Sequence, residues 1–287
     1  MNLCYFNGQY LPIEAARVSP LDRGFLFGDG AYELIPVYSR RPFRQHEHLQ
    51  RLQQTLDGIR LTNPLGIEQW CDTITRLIAA APFDDQSIYL QVTRGADNKR
   101  DHAFPSDVAP TVFAYSAPLL TASAEQRTHG IACISVTDNR WLRCDLKVLA
   151  LLPNVLLRQQ AVDQGCAEAI LLREGYLTEG AASNIFVCQK GVLLAPPKGH
   201  LMLPGITYDV VLELADRHGM SHEVREISAD ELRRADEIWV TSSTREVMPC
   251  TMLDGRPVGT GVPGPMAQQM YGWYASFRDQ VMRNSDG

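Results

Sequence analysis

The chain has 287 residues, of which 45% are hydrophobic and 21% are charged, and its formal net charge is −6. This length can bury one large core or two smaller ones. No basic run or stripe is present, which argues against a nucleic-acid partner. No apolar run approaches the length that crosses a membrane.

The seven cysteines are scattered along the chain, odd in number and never spaced as Cys-x-x-Cys. This pattern argues against a disulfide framework or a zinc site and favours a reducing compartment. The first residues, Met1–Tyr5, lack a basic segment followed by an apolar one, so no secretory signal is predicted. We therefore expect a cytoplasmic protein that binds no metal.

The first part of the chain alternates strand and helix patterns. A hairpin is predicted over residues 2–12, because Asn7-Gly8 between apolar residues is a strong signal for a two-residue turn. Apolar residues recur at helical spacing over residues 46–60 and 67–80, which predicts two helices. Strands are predicted at Tyr32–Tyr38, Ile88–Thr93 and Thr111–Tyr115.

A break in these patterns divides the chain. Residues 118–126 contain a proline and a run of small residues, which indicates a linker between an N-terminal domain of residues 1–117 and a C-terminal domain of residues 127–287. In the second domain, helices are predicted at residues 154–164 and Thr207–His218, each followed by a glycine. Strands are predicted at Ile131–Thr137, Ala169–Arg173, Asn184–Cys188, Val192–Ala195 and Glu237–Thr241. The mixture predicts an α/β (α+β mixed) protein of two domains.

Lys147 has unusual surroundings for a lysine. Three of the four lysines lie in polar or turn-like contexts, whereas Lys147 lies in the apolar stretch Asp145–Leu152. Burial disfavours the charged ammonium and lowers its pKa, and a neutral lysine can attack a carbonyl to form a Schiff base. The alternative is a lysine whose stem covers apolar surface while its charge stays in water.

Glu179 lies in Leu177–Asn184, a stretch of small residues between predicted strands. Small neighbours allow a ligand to approach closely. A cofactor with a pyridine ring needs a carboxylate at the ring nitrogen, which keeps the ring an effective electron acceptor. Glu179 could supply it, and an ordinary turn glutamate is the alternative.

A phosphate-binding position is indicated at the start of the helix that begins near Thr207. Gly205 and Thr207 leave backbone N–H groups available, and a helix N-terminus binds phosphate well. A plain N-cap threonine is the alternative. The cluster Thr241–Thr244 could add hydroxyl donors, and Arg51 on the first predicted helix could add a fixed positive charge.

Arg100 and His102 lie in the charged loop after the strand that ends at Thr93. Two residues separated by one can point the same way from an extended segment. They could bind a substrate carboxylate, with the guanidinium making two parallel hydrogen bonds. A solvated charged loop is the alternative.

Taken together and in order, six segments that span nearly the whole chain resemble one family, the fold-type IV enzymes that depend on pyridoxal 5'-phosphate (PLP), or class IV aminotransferases. The segments are Phe27–Glu33, Glu47–Leu52, Gln91–Gly95, Arg140–Lys147, Thr178–Asn184 and Gly205–Thr207. The family includes D-amino-acid aminotransferases, branched-chain aminotransferases and 4-amino-4-deoxychorismate lyases. Arg140–Lys147 closely resembles the cofactor-lysine segment of the bacterial D-amino-acid enzymes.

The resemblance implies two α/β domains with PLP between them and an obligate homodimer. It implies that Lys147 joins the cofactor as a Schiff base, that Glu179 meets the pyridine nitrogen and that Leu203 packs on the ring. The phosphate would be held by Arg51, the N–H groups of Ile206 and Thr207, and Ser243.

The substrate assignment rests on a second part of the resemblance. D-Amino-acid aminotransferases trap the substrate α-carboxylate with an Arg-x-His pair that matches Arg100 and His102 and with a tyrosine that matches Tyr32. The loop with this pair reaches across from the partner subunit, and Thr244 is a further expected substrate contact. The resemblance implies transamination between a D-amino acid of the D-alanine class and a 2-oxo acid such as 2-oxoglutarate or pyruvate, with Lys147 as general base.

The sequence also departs from the D-specific pattern. Ala181 and Ala182 stand where serines are common. Arg245 stands where smaller residues are common and could alter the preference for the substrate side chain or add a second carboxylate site. The nearest alternative is 4-amino-4-deoxychorismate lyase, which shares the lysine and phosphate motifs. Others are a branched-chain L-amino-acid aminotransferase, which the Arg-x-His pair disfavours, and a non-catalytic PLP-binding protein, in which Lys147 would be replaceable.

Overall fold

A computed structural model describes residues 3–282 of the chain. They form two compact units. The first unit comprises the chain up to Leu120 together with the short segment Leu146–Leu151. The second comprises Thr121–Asp145 and the chain from Leu152 onward.

The described part of the first unit is a six-stranded antiparallel sheet with helices. Its strands are β1 (Leu3–Phe6), β2 (Gln9–Pro12), β3 (Gly30–Tyr38), β4 (Arg41–Pro42), β5 (Gln86–Thr93) and β6 (Thr111–Pro118). Its helices are α1 (Arg23–Phe27), α2 (Gln45–Gly58) and α3 (Ile67–Ala80), with a 3-10 turn at Ile13–Ala15. The sheet order is β2-β1-β6-β5-β3-β4.

The core of the first unit lies between the sheet and the apolar faces of α2 and α3. Leu49, Leu52 and Leu56 recur at helical spacing along α2, which places them on one face. Trp70 and Ile74 do the same on α3, and all five are buried against apolar residues of β3 and β5. The predicted hairpin and the two predicted helices of this unit are confirmed.

The described part of the second unit is a nine-stranded mixed sheet with five helices. Its strands are β7 (Ile131–Thr137), β8 (Glu168–Arg173), β9 (Tyr176–Gly180), β10 (Asn184–Gln189), β11 (Val192–Ala195), β12 (His222–Val224), β13 (Glu237–Ser242), β14 (Glu246–Leu253) and β15 (Arg256–Pro257). Its helices are α4 (Ala124–His129), α5 (Leu152–Asp163), α6 (Ile206–Arg217), α7 (Ala229–Arg233) and α8 (Pro265–Met282). The order is β12-β11-β10-β13-β14-β7-β8-β9, and β15 pairs with β14.

Several local features of the second unit differ from the sequence-based expectations. Glu179 lies in strand β9 rather than in a turn, because the tight turn falls earlier, at Glu174 and Gly175, which both have positive φ. Strand β14 was not predicted, because it is buried on both faces and therefore shows no alternation. The end of the expected linker 118–126 starts a helix, since Ser123 caps α4.

The segment that carries Lys147 belongs to the first unit, whereas the sequence placed it in the domain of residues 127–287. The backbone explains the difference. The Tyr32 N–H donates to the Lys147 carbonyl at 3.0 Å, and the Leu149 N–H donates to the Gly30 carbonyl at 3.0 Å. The segment therefore extends the β3 edge of the first sheet locally.

Two glycines allow this close approach. Gly28 has φ +67°, and a Cβ there would lie 3.0 Å from Ala150 Cα. At Gly30, a Cβ would lie 2.4 Å from the Val92 carbonyl oxygen and 2.7 Å from Leu149 Cδ1. Any side chain at either position would push the Lys147 segment away from β3.

Residues 3–282 contain no helix that combines the length and apolar character needed to cross a bilayer. The same residues hold no group of three or more histidine, cysteine or acidic side chains arranged to bind a metal ion. All seven cysteines are free thiols in the structure.

We expect Gly28→Ala to cost more stability than a matched glycine substitution. A left-handed alanine costs about 1–2 kcal/mol, and the contact with Ala150 adds about 1–3 kcal/mol of overpacking. Gly165 has nearly the same φ, +69°, but open space around it. Gly165→Ala should therefore lose only the backbone contribution. Urea unfolding measures both losses, and equal values would contradict the close approach.

Candidate active site

Lys147 lies half-buried above an aromatic ring in the first unit. Its Nζ is 4.3 Å from the centroid of the Tyr32 ring, a distance typical of a cation–π contact. Tyr32 stacks in turn on Tyr89, with ring centroids 5.8 Å apart. The Lys147 N–H donates to Thr55 Oγ1 at 3.2 Å. The first unit thus brings together two of the predicted site residues, Lys147 and Tyr32.

Arg51 lies on α2 and binds a buried carboxylate. Its Nε donates to Glu33 Oε1 at 2.7 Å, and its Nη2 donates to Glu33 Oε2 at 2.9 Å. His48 Nδ1 lies 2.8 Å from the same Oε2. Burial alone raises the pKa of Glu33, but Arg51 and His48 hold it well below its usual range. Glu33 is therefore ionised and fixes the orientation of the Arg51 guanidinium.

Arg100 and His102 lie exposed in the loop that follows β5. The guanidinium carbon of Arg100 is 5.1 Å from the centroid of the Phe27 ring. The His102 ring lies 5.3 Å from the same centroid. The two side chains therefore lie beside one aromatic ring.

Glu179 is buried in the second unit and has three donors around it. Its Oε1 accepts from Arg140 Nη1 at 2.5 Å, and its Oε2 accepts from the Leu203 N–H at 3.1 Å. Asn184 Nδ2 lies 3.5 Å from Oε2. Burial raises the pKa of Glu179 to about 7, more than Arg140 and the Leu203 N–H lower it. A carboxyl group with this pKa can hold or release a proton near neutral pH.

Arg140 joins Glu179 to a second carboxylate, Asp138. Its Nε and Nη2 donate to Asp138 Oδ1 and Oδ2 at 2.9 and 3.0 Å. Arg173 Nη2 lies 3.0 Å from Oδ1, and Thr178 Oγ1 donates to Oδ2 at 3.0 Å. Burial alone raises the pKa of Asp138, but Arg140 and Arg173 lower it to about 2. Asp138 is therefore ionised and anchors Arg140.

Ile206 and Thr207 form the first residues of α6, where backbone N–H groups have no partner within the helix. Gly205 is the N-cap residue and supplies no side chain to cover them. A Cβ at Gly205 would lie 2.0 Å from Asn184 Oδ1, so glycine allows Asn184 to sit against the helix start. Asn184 also donates to the Leu203 carbonyl at 2.9 Å. The predicted residues Leu203, Ile206 and Thr207 therefore lie together around Asn184.

Ser243 and Thr244 are half-buried in the turn between β13 and β14. The next residue, Arg245, has its guanidinium directed at the start of β8. Its Nη2 donates to the Ala167 carbonyl at 2.7 Å, and its Nη1 lies 3.9 Å from Glu168. Among the described residues, the buried Nη1 has no hydrogen-bond partner, so the second carboxylate site at Arg245 stays a prediction.

Sequence reasoning assigned no role to the buried residues that hold the predicted ones. They are Glu33, His48, Asp138, Arg140 and Asn184. Four of them, Glu33, His48, Arg140 and Asn184, fall inside the segments that carry the family resemblance. A charged residue within a strand-like apolar pattern was the available signal for Glu33, because burying a charge requires a partner.

Comparison of the sequence with known proteins gives consistent relatives. A family model described as amino-transferase class IV matches residues 30–253. The D-alanine aminotransferase of Bacillus licheniformis is 38% identical and covers 92% of this chain and 93% of its own. D-Alanine aminotransferases of Listeria monocytogenes and Staphylococcus aureus are each 35% identical to this chain. The Listeria enzyme matches 93% of this chain and 93% of its own, and the Staphylococcus enzyme matches 94% of this chain and 95% of its own.

Solved structures share the fold. The branched-chain amino acid aminotransferase of Escherichia coli superposes with a TM-score of 0.91 at 25% identity, over 100% of this chain and 97% of its own. A second branched-chain enzyme, from T.th. and solved with pyridoxamine 5'-phosphate, superposes with a TM-score of 0.89 at 27% identity. The match covers 99% of this chain and 95% of that enzyme. A fold IV-transaminase from Curtobacterium pusillum superposes with a TM-score of 0.80 at 25% identity, and the match covers 93% of this chain and 92% of that protein. The predicted mixed α/β fold of type IV is confirmed.

Glu179 should make stability depend on pH. Its pKa is about 7 in the folded chain and about 4.3 in an unfolded one, so the folded chain binds more protons between these values. Its contribution therefore becomes unfavourable as pH rises from 5 to 8, by up to about 3 kcal/mol. Glu179→Gln should stabilise the cofactor-free protein at pH 8 relative to the natural sequence, but not at pH 5. Urea unfolding at both pH values measures this.

Asp138 is the matched control, because it shares Arg140 but has a pKa of about 2. It is ionised at both pH values, so Asp138→Asn should lower stability by a similar amount at each. An equal effect of Glu179→Gln at pH 5 and pH 8 would count against a proton on Glu179.

Proposed function

Because the chain belongs to the class IV aminotransferase family, we propose that it is a PLP-dependent D-amino-acid aminotransferase. It would transfer the amino group of a D-amino acid of the D-alanine class to a 2-oxo acid such as 2-oxoglutarate or pyruvate. The observation that carries the proposal is the similarity to D-alanine aminotransferases, at 35–38% identity over more than nine-tenths of the chain.

The side chains of each unit fit this cofactor chemically. When bound, PLP supplies an aromatic ring that withdraws electrons from the substrate α-carbon. Glu179 offers a buried carboxyl group for the pyridine nitrogen, held in place by Arg140. Leu203, whose N–H donates to Glu179, would contribute its side chain to the face of the ring.

We assign to Lys147 both the attachment of the cofactor and the removal of the substrate α-proton by its Nζ. The surroundings suit that role. Tyr32 lies 4.3 Å beneath Nζ and stabilises the ammonium form after the proton is taken. Thr55 Oγ1 accepts from the Lys147 N–H and so holds the backbone from which the side chain extends.

The phosphate is assigned to the N–H groups of Ile206 and Thr207, the Ser243 hydroxyl and the Arg51 guanidinium. Helix N-termini bind phosphate because their N–H groups are unpaired and the helix dipole is positive there. Arg51 is held by two hydrogen bonds to Glu33. It would therefore act as a charge of fixed orientation rather than as a flexible clamp.

The substrate carboxylate is assigned to Arg100, His102 and Tyr32, with Thr244 as a further contact. Arg100 and His102 both lie beside Phe27, and a guanidinium and an imidazolium can each donate charge-assisted hydrogen bonds to a carboxylate. The branched-chain enzymes among the solved structures make L-leucine the most informative competing substrate.

We further infer a cytoplasmic homodimer. Helix α5 exposes an apolar stripe, with Leu152 67% exposed and both Val155 and Leu156 57% exposed. A stripe of this kind on a helix indicates an interaction surface, and a second copy of the chain fits the assembly expected from the family resemblance. The seven free cysteines suit a reducing compartment.

Borohydride reduction of the protein loaded with PLP should trap the cofactor on Lys147. Peptide mapping should find a single pyridoxyl-modified lysine, because the other lysines lie in polar surroundings. Lys147→Ala should lose both the adduct and transamination. Lys198→Ala removes a lysine that pairs with Asp209 on α6 and should keep both. An adduct only at another lysine would refute the assignment of Lys147.

D-Alanine alone should bleach the cofactor absorbance and release pyruvate, and this bleaching should be faster than bleaching by L-leucine by roughly 100-fold or more. Added 2-oxoglutarate should then restore the absorbance. Arg100→Ala should weaken the binding of D-alanine by roughly 10–100-fold, because it removes a charge-assisted pair of hydrogen bonds to the carboxylate. Turnover of L-leucine alone would identify a branched-chain enzyme. Pyruvate release from aminodeoxychorismate without a 2-oxo acid would identify a lyase.

A further inference from the structure

Asp29 holds two arginines at the base of the loop that carries Arg100 and His102. Arg23 Nε donates to Asp29 Oδ2 at 2.8 Å. Arg94 Nε donates to the same oxygen at 2.8 Å, and its Nη2 donates to Oδ1 at 3.0 Å. Both arginine side chains are buried, with 5% and 8% of their surfaces exposed. Their planar donor groups therefore have fixed directions.

The remaining donors of Arg23 bind the loop itself. Nη1 donates to the carbonyl oxygens of Asp101 and Ala103, at 2.6 and 3.2 Å, and Nη2 donates to that of His102 at 3.2 Å. These contacts join residues about 80 positions apart in the chain. One guanidinium thus binds three successive peptide groups at the segment where the proposed carboxylate ligands lie.

Aromatic contacts reinforce this hold. Arg23 lies 5.0 Å from the centroid of the Phe27 ring, the ring that Arg100 and His102 also contact. Arg94 lies 3.7 Å from the centroid of Phe104, at the far end of the segment.

Residues 100–104 form no helix or strand, and all five are exposed. Such a segment gains little from packing, so its conformation depends on the contacts that reach it from the body of the unit. Arg23 is buried and supplies three hydrogen bonds to it. Asp29 therefore orients Arg23, Arg23 holds the loop backbone, and the loop backbone sets the positions of the donors of Arg100 and His102.

We propose that Arg23, oriented by Asp29, is a positioning residue that fixes Arg100 and His102 for binding the substrate carboxylate. It touches neither substrate nor cofactor and acts through the loop backbone. The inference rests on the proposed function, because it requires Arg100 and His102 to bind that carboxylate. Arg94 holds Asp29 in place independently of Arg23.

Arg23→Lys is the sharpest variant. A lysine keeps a positive charge beside Asp29, and Arg94 still binds that carboxylate through two hydrogen bonds, so the buried acid keeps a partner. A lysine cannot present the planar fork that reaches Asp29 and three carbonyl groups together. The matched control is Arg40→Lys, because Arg40 also donates to several backbone carbonyl groups, those of Ile78, Ala79, Ala81 and Phe83 around the end of α3, away from this loop.

Three measurements on the PLP-loaded protein separate positioning from general damage. They are the KM for D-alanine, the inhibition constant of propionate, which carries the carboxylate but no amine, and the rate of cofactor discharge by hydroxylamine, which carries no carboxylate. In Arg23→Lys, the first two should rise at least tenfold, and the third should stay within twofold. Arg40→Lys should leave all three unchanged.

The outcomes are distinguishable. If Arg100→Ala weakens inhibition by propionate but Arg23→Lys does not, the positioning role is overturned and the proposed function stands. If neither variant weakens inhibition by propionate, the assignment of the substrate carboxylate to Arg100 and His102 fails, and the positioning role fails with it. If Arg23→Lys changes hydroxylamine reactivity as much as propionate binding, or Arg40→Lys has the same effects, the loss is general and the positioning role is overturned.

Discussion

A charge that is taken out of water must be compensated by a partner, and this constraint governs the structure behind the proposed ligand contacts. Glu33 is paired with Arg51, and Glu179 with Arg140. Asp29 is paired with Arg23 and Arg94. In each case, a buried carboxylate and a guanidinium hold one another in a single orientation, and at least one member of the set touches a residue assigned to the site.

Arginine suits these positions better than lysine because its five donors are planar and fixed relative to one another. One guanidinium can therefore bind a carboxylate and still donate elsewhere, as Arg140 does to Asp138 and Glu179. Only four of the 27 basic residues are lysines. The scarcity of lysine, a compositional feature without an obvious cause in the sequence, fits a chain whose basic groups serve largely as rigid multidentate donors.

Local physics made part of the fold predictable. Helices α2 and α3 were expected almost to the residue, because their apolar side chains recur with helical spacing and face one core. The hairpin of β1 and β2 followed from Asn7-Gly8, whose positive φ values fit a tight turn. Strand β14 escaped prediction because burial on both faces removes the alternation by which a strand is recognised.

In the candidate site, too, only the residues with an unusual local sequence or a family motif could be predicted. Lys147 stood out because a lysine in an apolar stretch is chemically unusual, and the family resemblance supplied roles for the other ligand-binding residues. The residues that hold them did not stand out, since each also depends on contacts that are remote in sequence. Asp138 meets Thr178 from 40 positions away, and the Lys147 segment joins the first unit through backbone bonds to Gly30 and Tyr32. No local pattern encodes such pairings.

The way Arg23 binds its loop has a consequence for specificity. Its donors bind carbonyl oxygens of Asp101, His102 and Ala103, and every residue type offers the same carbonyl group. The hold on the backbone is therefore independent of which side chains stand at positions 100 and 102. A chain built this way can change the chemistry of its substrate-binding loop by substitution there, while Asp29 and Arg23 keep the loop in place.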